Sequence, residues 1–165
     1  TAIVPIAVHK DTGIVYVLPS FAESCSEQKT LAQMLMLHQA YNFSLIGWEE
    51  VVFSGIYGNY IQKMGVEKNV FFPIIKLGTH GQSKEMRVRS YSMLIQNGFI
   101  RFPMRGCSNI ETQLTEFPLG AFDDLCDGLW LALQAAQKSS SGKVTMSTVK
   151  RTARTVANKI IGRVR

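Results

Sequence analysis

Asp123, Asp124 and Asp127 fall within five residues, after a Pro118–Gly120 turn and at the head of an apolar run. Asp124 and Asp127 are three apart, so on a helix they share a face. In the first turn of such a helix the dipole favours negative charge. That accounts for one or two acids. Three acids beside Leu125, Cys126, Leu129 and Trp130 cost energy unless a cation pairs with them. A hard divalent ion such as Mg²⁺ is one such cation. An Asp N-cap followed by acidic first-turn residues is the other reading, and this segment alone leaves both open.

A further acid, Glu49, ends the apolar segment Ser44–Glu49. One acid on a strand end and two at the start of a distant helix is a layout able to hold two divalent cations about 4 Å apart for phosphodiester hydrolysis. Oxygen donors suit Mg²⁺ or Mn²⁺, and no His/Cys cluster offers a zinc site. Cys25, Cys107 and Cys126 are odd in number and widely spaced, which suits a reducing compartment and small buried or incidental roles. His38 stands alone and reads as a helix-face residue.

The elements that must position these groups follow from periodicity. Residues 2–8 and 14–18 are β-rich runs around a polar turn ending in Gly13, which predicts an antiparallel hairpin. Pro5 argues against a fully paired first strand. Residues 26–41 predict a helix capped by Ser26, with Leu31, Met34, Leu35 and His38 at helical spacing. Strands are expected at 44–49, 70–75 and 99–102. Helices are expected at 57–64, from Ser83 to Gln96 with Asn97–Gly98 as the stop, at 109–116 with Asn109 as cap, and at 123–137. The order is that of an α/β fold with a mixed sheet. Ligands in such sheets meet the carboxyl ends of strands, and Glu49 is at one.

The 165 residues suit one domain, residues 1–137, followed by a basic linker and tail, residues 138–165. Apolar content of 46% against 18% charged residues excludes a disordered chain. No apolar run is long enough to span a bilayer, and no signal segment opens the chain. The start at Thr1, without Met, reads as a fragment or a processed piece. The net charge of +6 is unevenly placed. Residues 138–165 hold eight Lys/Arg and no acid, so the rest carries ten bases against twelve acids, or −2. Ser139–Gly142 reads as a linker. Val149, Ala153, Val156, Ile160 and Val164 beyond it predict an amphipathic basic helix. An acidic site with a basic arm suits an enzyme that holds metal beside a polyanion.

Several motifs in order carry a resemblance. Ile46-Gly47-Trp48-Glu49-Glu50-Val51-Val52-Phe53 is a strand ending in Glu. Ser83-Lys84-Glu85-Met86-Arg87 opens a lysine-led helix, and Asn97-Gly98-Phe99-Ile100-Arg101-Phe102 is a short strand. Gln113 to Gly128 reads as a leucine-bearing helix, Phe-Pro, Gly and Asp-Asp-x-x-Asp. Together they resemble the nuclease domain of the tailed-phage terminase large subunit, of the ribonuclease H-like superfamily, over nearly all of residues 1–137.

The resemblance implies a ribonuclease H-like mixed β-sheet flanked by helices, and metal-dependent cutting of concatemeric double-stranded DNA with two Mg²⁺ or Mn²⁺ ions. Glu49 corresponds to the strand ligand, and Asp124 and Asp127 to the helix ligands. Glu50 replaces Glu49 if the strand register slips by one. Asp123 takes a supporting or capping role. Lys84 and Arg87, one turn apart, contact phosphate or form a solvated face. Work in host cytoplasm, with a small terminase subunit, a portal and an upstream ATPase domain of the same parent chain, is also implied. The chain has no Gly-x-x-x-x-Gly-Lys-Ser/Thr loop of its own. Gly128 stands where the family carries Ala, a change expected to cost helix propensity only. The family's first ligand is an Asp on a central strand preceding residue 2. This chain starts after it, so the sheet is expected to lack that strand and to leave edges unpaired. Asp11, in the hairpin turn, is a poor substitute.

Two other functions compete. The basic tail and absent first ligand suit an inactive module that binds DNA or docks on the portal. Another ribonuclease H-like nuclease, such as a resolvase, would carry similar acids.

Overall fold

A computed structural model of the chain describes residues 1–50, 57–78 and 81–141. The fold is mixed α/β, with helices against small sheets. The first β-rich run is split where Pro5 removes a backbone donor. Its halves are β1 (Ala2–Ile3) and β2 (Ile6–Val8). β2 pairs antiparallel with β3 (Val15–Val17), Ala7 opposite Tyr16, so the expected hairpin forms. Its turn closes through Gly13, at φ 70°, whose N–H donates to the His9 carbonyl at 2.8 Å. β1 pairs instead with β4 (Phe21–Ala22).

Helix α1 (Glu27–Tyr41) starts at Ser26, whose hydroxyl accepts from the Lys29 N–H, and ends on Asn42 in the left-handed conformation. β5 (Ile46–Glu49) then runs parallel to β6 (Ile74–Leu77), with Glu49 opposite Leu77. Between them lies α2 (Tyr57–Lys68), one turn longer than the periodicity indicates. β6 is also displaced from the expected 70–75. Pro73 has no N–H to give a ladder, but its carbonyl accepts from the Ile46 N–H, and pairing starts just after it.

Helix α3 (Lys84–Gln96) is capped by Ser83 and stopped by Asn97–Gly98, as the sequence indicates. Gly98, at φ 72°, donates to Ile95, and Phe99 donates to Leu94, which is a Schellman closure. β7 (Ile100–Arg101) pairs parallel with β3. α4 (Ser108–Glu116) starts one residue before the expected Asn109, on Cys107, and has no side-chain cap bond. α5 (Asp124–Ser141) continues through Ser139–Ser141, which the sequence reads as linker. The predicted basic helix at 149–164 lies outside the described residues.

The strands form three ladders among the described residues, β1–β4, β2–β3–β7 and β5–β6. α5 joins them, since it packs on β1, β2, β5 and β6 and also on α3 and α4. Leu125, Cys126 and Leu129 on α5 are fully buried with Val17, Ile100, Ile110 and Tyr91. Burying a Leu of this kind stabilises by about 1.5–3 kcal/mol. A second cluster, Leu31, Met34, Ile61 and Phe72, fills the space between α1, α2 and the β5–β6 ladder. His38 is buried beside it as a structural link. It accepts from the Phe43 N–H at Nδ1, so Nε2 carries the proton and donates to the Phe71 carbonyl at 3.1 Å.

Two glycines set how closely α5 approaches the strands. A Cβ at Gly47 would lie 2.7 Å from Leu77 Cδ1 and 3.2 Å from the Leu131 carbonyl oxygen. A Cβ at Gly128 would lie 2.8 Å from Val4 Cγ2. Helix propensity is therefore not all that is at stake at Gly128, which corrects the sequence expectation. The missing methyl lets α5 sit against the β1–β2 junction.

Candidate functional site

The acids open α5. The Asp123 carbonyl accepts from the N–H groups of Cys126 and Asp127, and so begins the helix. The Leu125 N–H is satisfied from another element, by Gln113 Oε1 of α4 at 2.9 Å. Asp124 and Asp127 thus sit in the first turn, where the dipole favours them. Directly behind are Leu125 and Cys126, with no exposure, and Trp130, at 4%.

The cations that such acids require come from α3. Lys84, Arg87, Val88 and Tyr91 recur at i, i+3, i+4 and i+7, the spacing of one helix face. Val88 and Tyr91 are buried, and the Tyr91 hydroxyl donates to the Cys126 carbonyl at 3.2 Å. This contact fixes α3 against α5. One turn nearer the α3 start, Lys84 Nζ lies 2.8 Å from Asp123 Oδ1 and 2.7 Å from Asp127 Oδ2. Arg87 Nη2 lies 3.2 Å from Asp127 Oδ1, and its guanidinium stacks 5.2 Å from the Trp130 ring centre. The Arg87 side chain is only 12% exposed. The distance to Asp127 is that of an ion pair, but Arg87 Nε and Asp127 Oδ1 are both buried without a hydrogen bond. The contact is therefore mainly Coulombic, and one carboxylate oxygen is left under-coordinated.

Burial by itself would lower the Lys84 pKa. The hydrogen bonds to Asp123 and Asp127 outweigh it, so the net displacement is upward. Asp124 is more open, at 60% exposure, with the Thr1 amino group 3.4 Å from its Oδ2. An exposed contact of that length contributes little.

Glu49 is half-buried at the carboxyl end of β5. Glu50 is exposed, and its Oε2 is 3.5 Å from where a Cβ on Gly78 would lie. Among the described residues no three His, Cys, Asp or Glu side chains group closely enough to hold a metal ion. Asp123 and Asp127 are brought together with Lys84 and Arg87, but Glu49 does not join the α5 acids in such a group. The donors fit a hard divalent ion in type, and Asp127 Oδ1 fits as an under-coordinated buried oxygen. Their number does not complete a centre.

Sequence reasoning missed three parts of this site. It gave Lys84 and Arg87 to phosphate or solvent, whereas both reach Asp127. Gln113 as a cap for α5 and Trp130 as a platform for Arg87 were also unread. The α3 spacing was the available signal, since an Arg in line with buried Val and Tyr faces the core side. Cys25, Cys107 and Cys126 are free thiols, and the latter two are buried. No helix among the described residues is long and apolar enough to cross a membrane. Comparison with protein-family models, curated proteins and solved structures finds no match to this chain.

Proposed function

We infer that this chain is a ribonuclease H-like nuclease domain of the terminase large-subunit kind, which hydrolyses phosphodiester bonds of double-stranded DNA with divalent metal. The observation that supports it best is topological. Glu49 ends a parallel strand, and the helix packed on that strand opens with Asp124 and Asp127. The sheet pairing agrees with the same reading. Among the described residues β2 pairs only with β3 and β5 only with β6, while α5 packs on both β2 and β5. A strand between β2 and β5 would join the ladders, and the resemblance implies one there that bears the first Asp.

Asp124, Asp127 and Glu49 are the residues that would hold the ions, together with that further acid. Bound metal supplies an activated water and charge stabilisation of the leaving oxygen. The chain's own contribution is to aim the carboxylates. Trp130 holds Arg87, and Arg87 in turn holds Asp127. Duplex DNA, a small terminase subunit, a portal, an ATPase domain on the parent chain and host cytoplasm belong to this proposal through the resemblance alone.

The test is nicking of supercoiled plasmid with Mg²⁺ or Mn²⁺, using a form extended upstream through the implied strand. Cutting is expected, and Asp124→Asn should reduce it at least about a hundredfold with the fold retained. Cutting that survives this substitution would overturn the assignment. A second reading, a non-cutting DNA-binding module, is favoured by the pairing of Asp123 and Asp127 with cations of the chain itself. It expects DNA binding with no cutting by either form.

A further inference from the structure

We propose that the outward face of the β2–β3–β7 ladder is a stacking platform for single-stranded nucleic acid. Strand alternation divides the ladder into two faces. Val17 and Ile100, at 0% and 2% exposure, belong to the cluster that α5 closes. Their chain neighbours Tyr16 and Arg101 therefore point the other way, away from α5. The register groups them in one row. Ala7 lies opposite Tyr16 and Tyr16 opposite Arg101, and all three are exposed. Phe99, two residues before Arg101, is set beside β3, because its carbonyl accepts from the Val15 N–H at 2.8 Å. A sheet face that meets only water carries polar side chains. This one carries two rings instead, Tyr16 at 39% and Phe99 at 52% exposure.

Charge selects the occupant. Residues 86–110 hold four Arg and no acid, and Asp11, in the hairpin turn, is the one acid of residues 1–22. The face is thus complementary to phosphate. Arg101 Nε donates to the Gly98 carbonyl at 2.9 Å, which tethers the guanidinium at the Phe99 end of β7. Exposed rings that accept any base, beside a cation for the backbone, are what a single strand requires. A duplex keeps its base faces inside the stack, so it can use the arginine but not the rings. This face is separate from the acids of α5, and its binding does not depend on cutting.

The experiment is fluorescence anisotropy on the full chain in EDTA, with a labelled oligodeoxythymidine of about ten nucleotides and with a labelled duplex. Tyr16→Thr and Phe99→Thr should each weaken single-strand binding about tenfold and leave duplex binding unchanged. Tyr16→Phe keeps the ring and should stay close to the parent. Arg101→Gln should make the single-strand salt slope shallower by about 0.7. Residues 138–165 are the same in every variant, so their charge cannot produce a difference between them. Circular dichroism checks each fold. Phe99 lies outside the paired residues of β7, so Phe99→Thr keeps the test decisive if Tyr16→Thr unfolds. Single-strand affinity untouched by the folded Thr variants would overturn the platform. So would equal losses on duplex and single strand, or a parent that binds no single strand. A parent that sediments as a dimer, split by Phe99→Thr, would give the face to a second copy and overturn the assignment.

Discussion

Cys126, Tyr91 and Lys84 set how this site responds to alkali, and burial pushes the Tyr91 phenol well above its ordinary value. Burial pushes the Cys126 thiol up from 9.0 to about 11. A group whose folded pKa is raised stabilises fully below its unfolded value and loses that contribution as pH rises. Stability should therefore start to fall above pH 9. The full two-unit displacement corresponds to about 2–3 kcal/mol. Lys84, whose net displacement is also upward from 10.5, gives way later in the same direction. Urea midpoints measured from pH 7 to 11 should decline from pH 9, and Cys126→Ala should flatten the first part of that decline. An unchanged profile in the variant would remove Cys126 from the account. Thiol labelling checks the burial itself. Of the three cysteines, Cys25 alone should react with a disulfide reagent in the native protein, because Cys107 and Cys126 are 1% and 0% exposed. All three should react in denaturant. At this scale the acids were legible, because three carboxylates at the head of an apolar run demand a cation. Which cation was not legible, since Lys84 and Asp127 are 43 residues apart and only packing brings them together.

Elements that carry their own punctuation were legible as well. Ser26, Ser83 and Asn97–Gly98 cap their helices as their chemistry dictates. Elements positioned by partners were less so. β6 begins after Pro73 because the β5 register requires it, and α4 lacks the cap that Asn109 would have supplied. The Ser-rich stretch continues α5 because Ser remains a tolerable helix former where nothing forces a stop. The two close glycines give a graded prediction. Gly47→Ala drives a methyl toward Leu77 Cδ1, Ala135 Cβ and the Leu131 carbonyl, which belongs to rigid helix backbone. It should cost about 1–3 kcal/mol. Gly128→Ala meets only side-chain carbons of Val4 and Ala2 and gains up to about 1 kcal/mol of helix propensity. Its net loss should be the smaller of the two. Chemical denaturation of both variants decides this, and the reverse order would show that α5 is seated more firmly at Val4 than at β5.

Across the whole molecule the charge is divided between two regions, which on the proposed nuclease reading would meet DNA differently. Residues 1–137 carry −2, with three of the acids gathered at the start of α5, so this body repels phosphate on average. Removing residues 142–165 takes away seven Lys/Arg and no acid, leaving the chain at +6 − 7 = −1. Whatever conformation that segment takes, counterion release at phosphates follows from its charge. The full chain should therefore bind duplex DNA at low salt, and log K should fall linearly with log salt. With seven bases the slope can be no steeper than about −6. The shortened chain keeps α5 and the two hydrophobic clusters of the described residues, and it should lose most of this binding, with circular dichroism checking that its fold is retained. Fluorescence anisotropy on a labelled duplex from 50 to about 200 mM salt measures both. Binding by the shortened chain with undiminished affinity and slope would move the DNA contact onto the body. In that case some of the ten Lys/Arg of residues 1–137 would have to reach phosphate, and a Lys84→Met variant would show whether Lys84 is one of them.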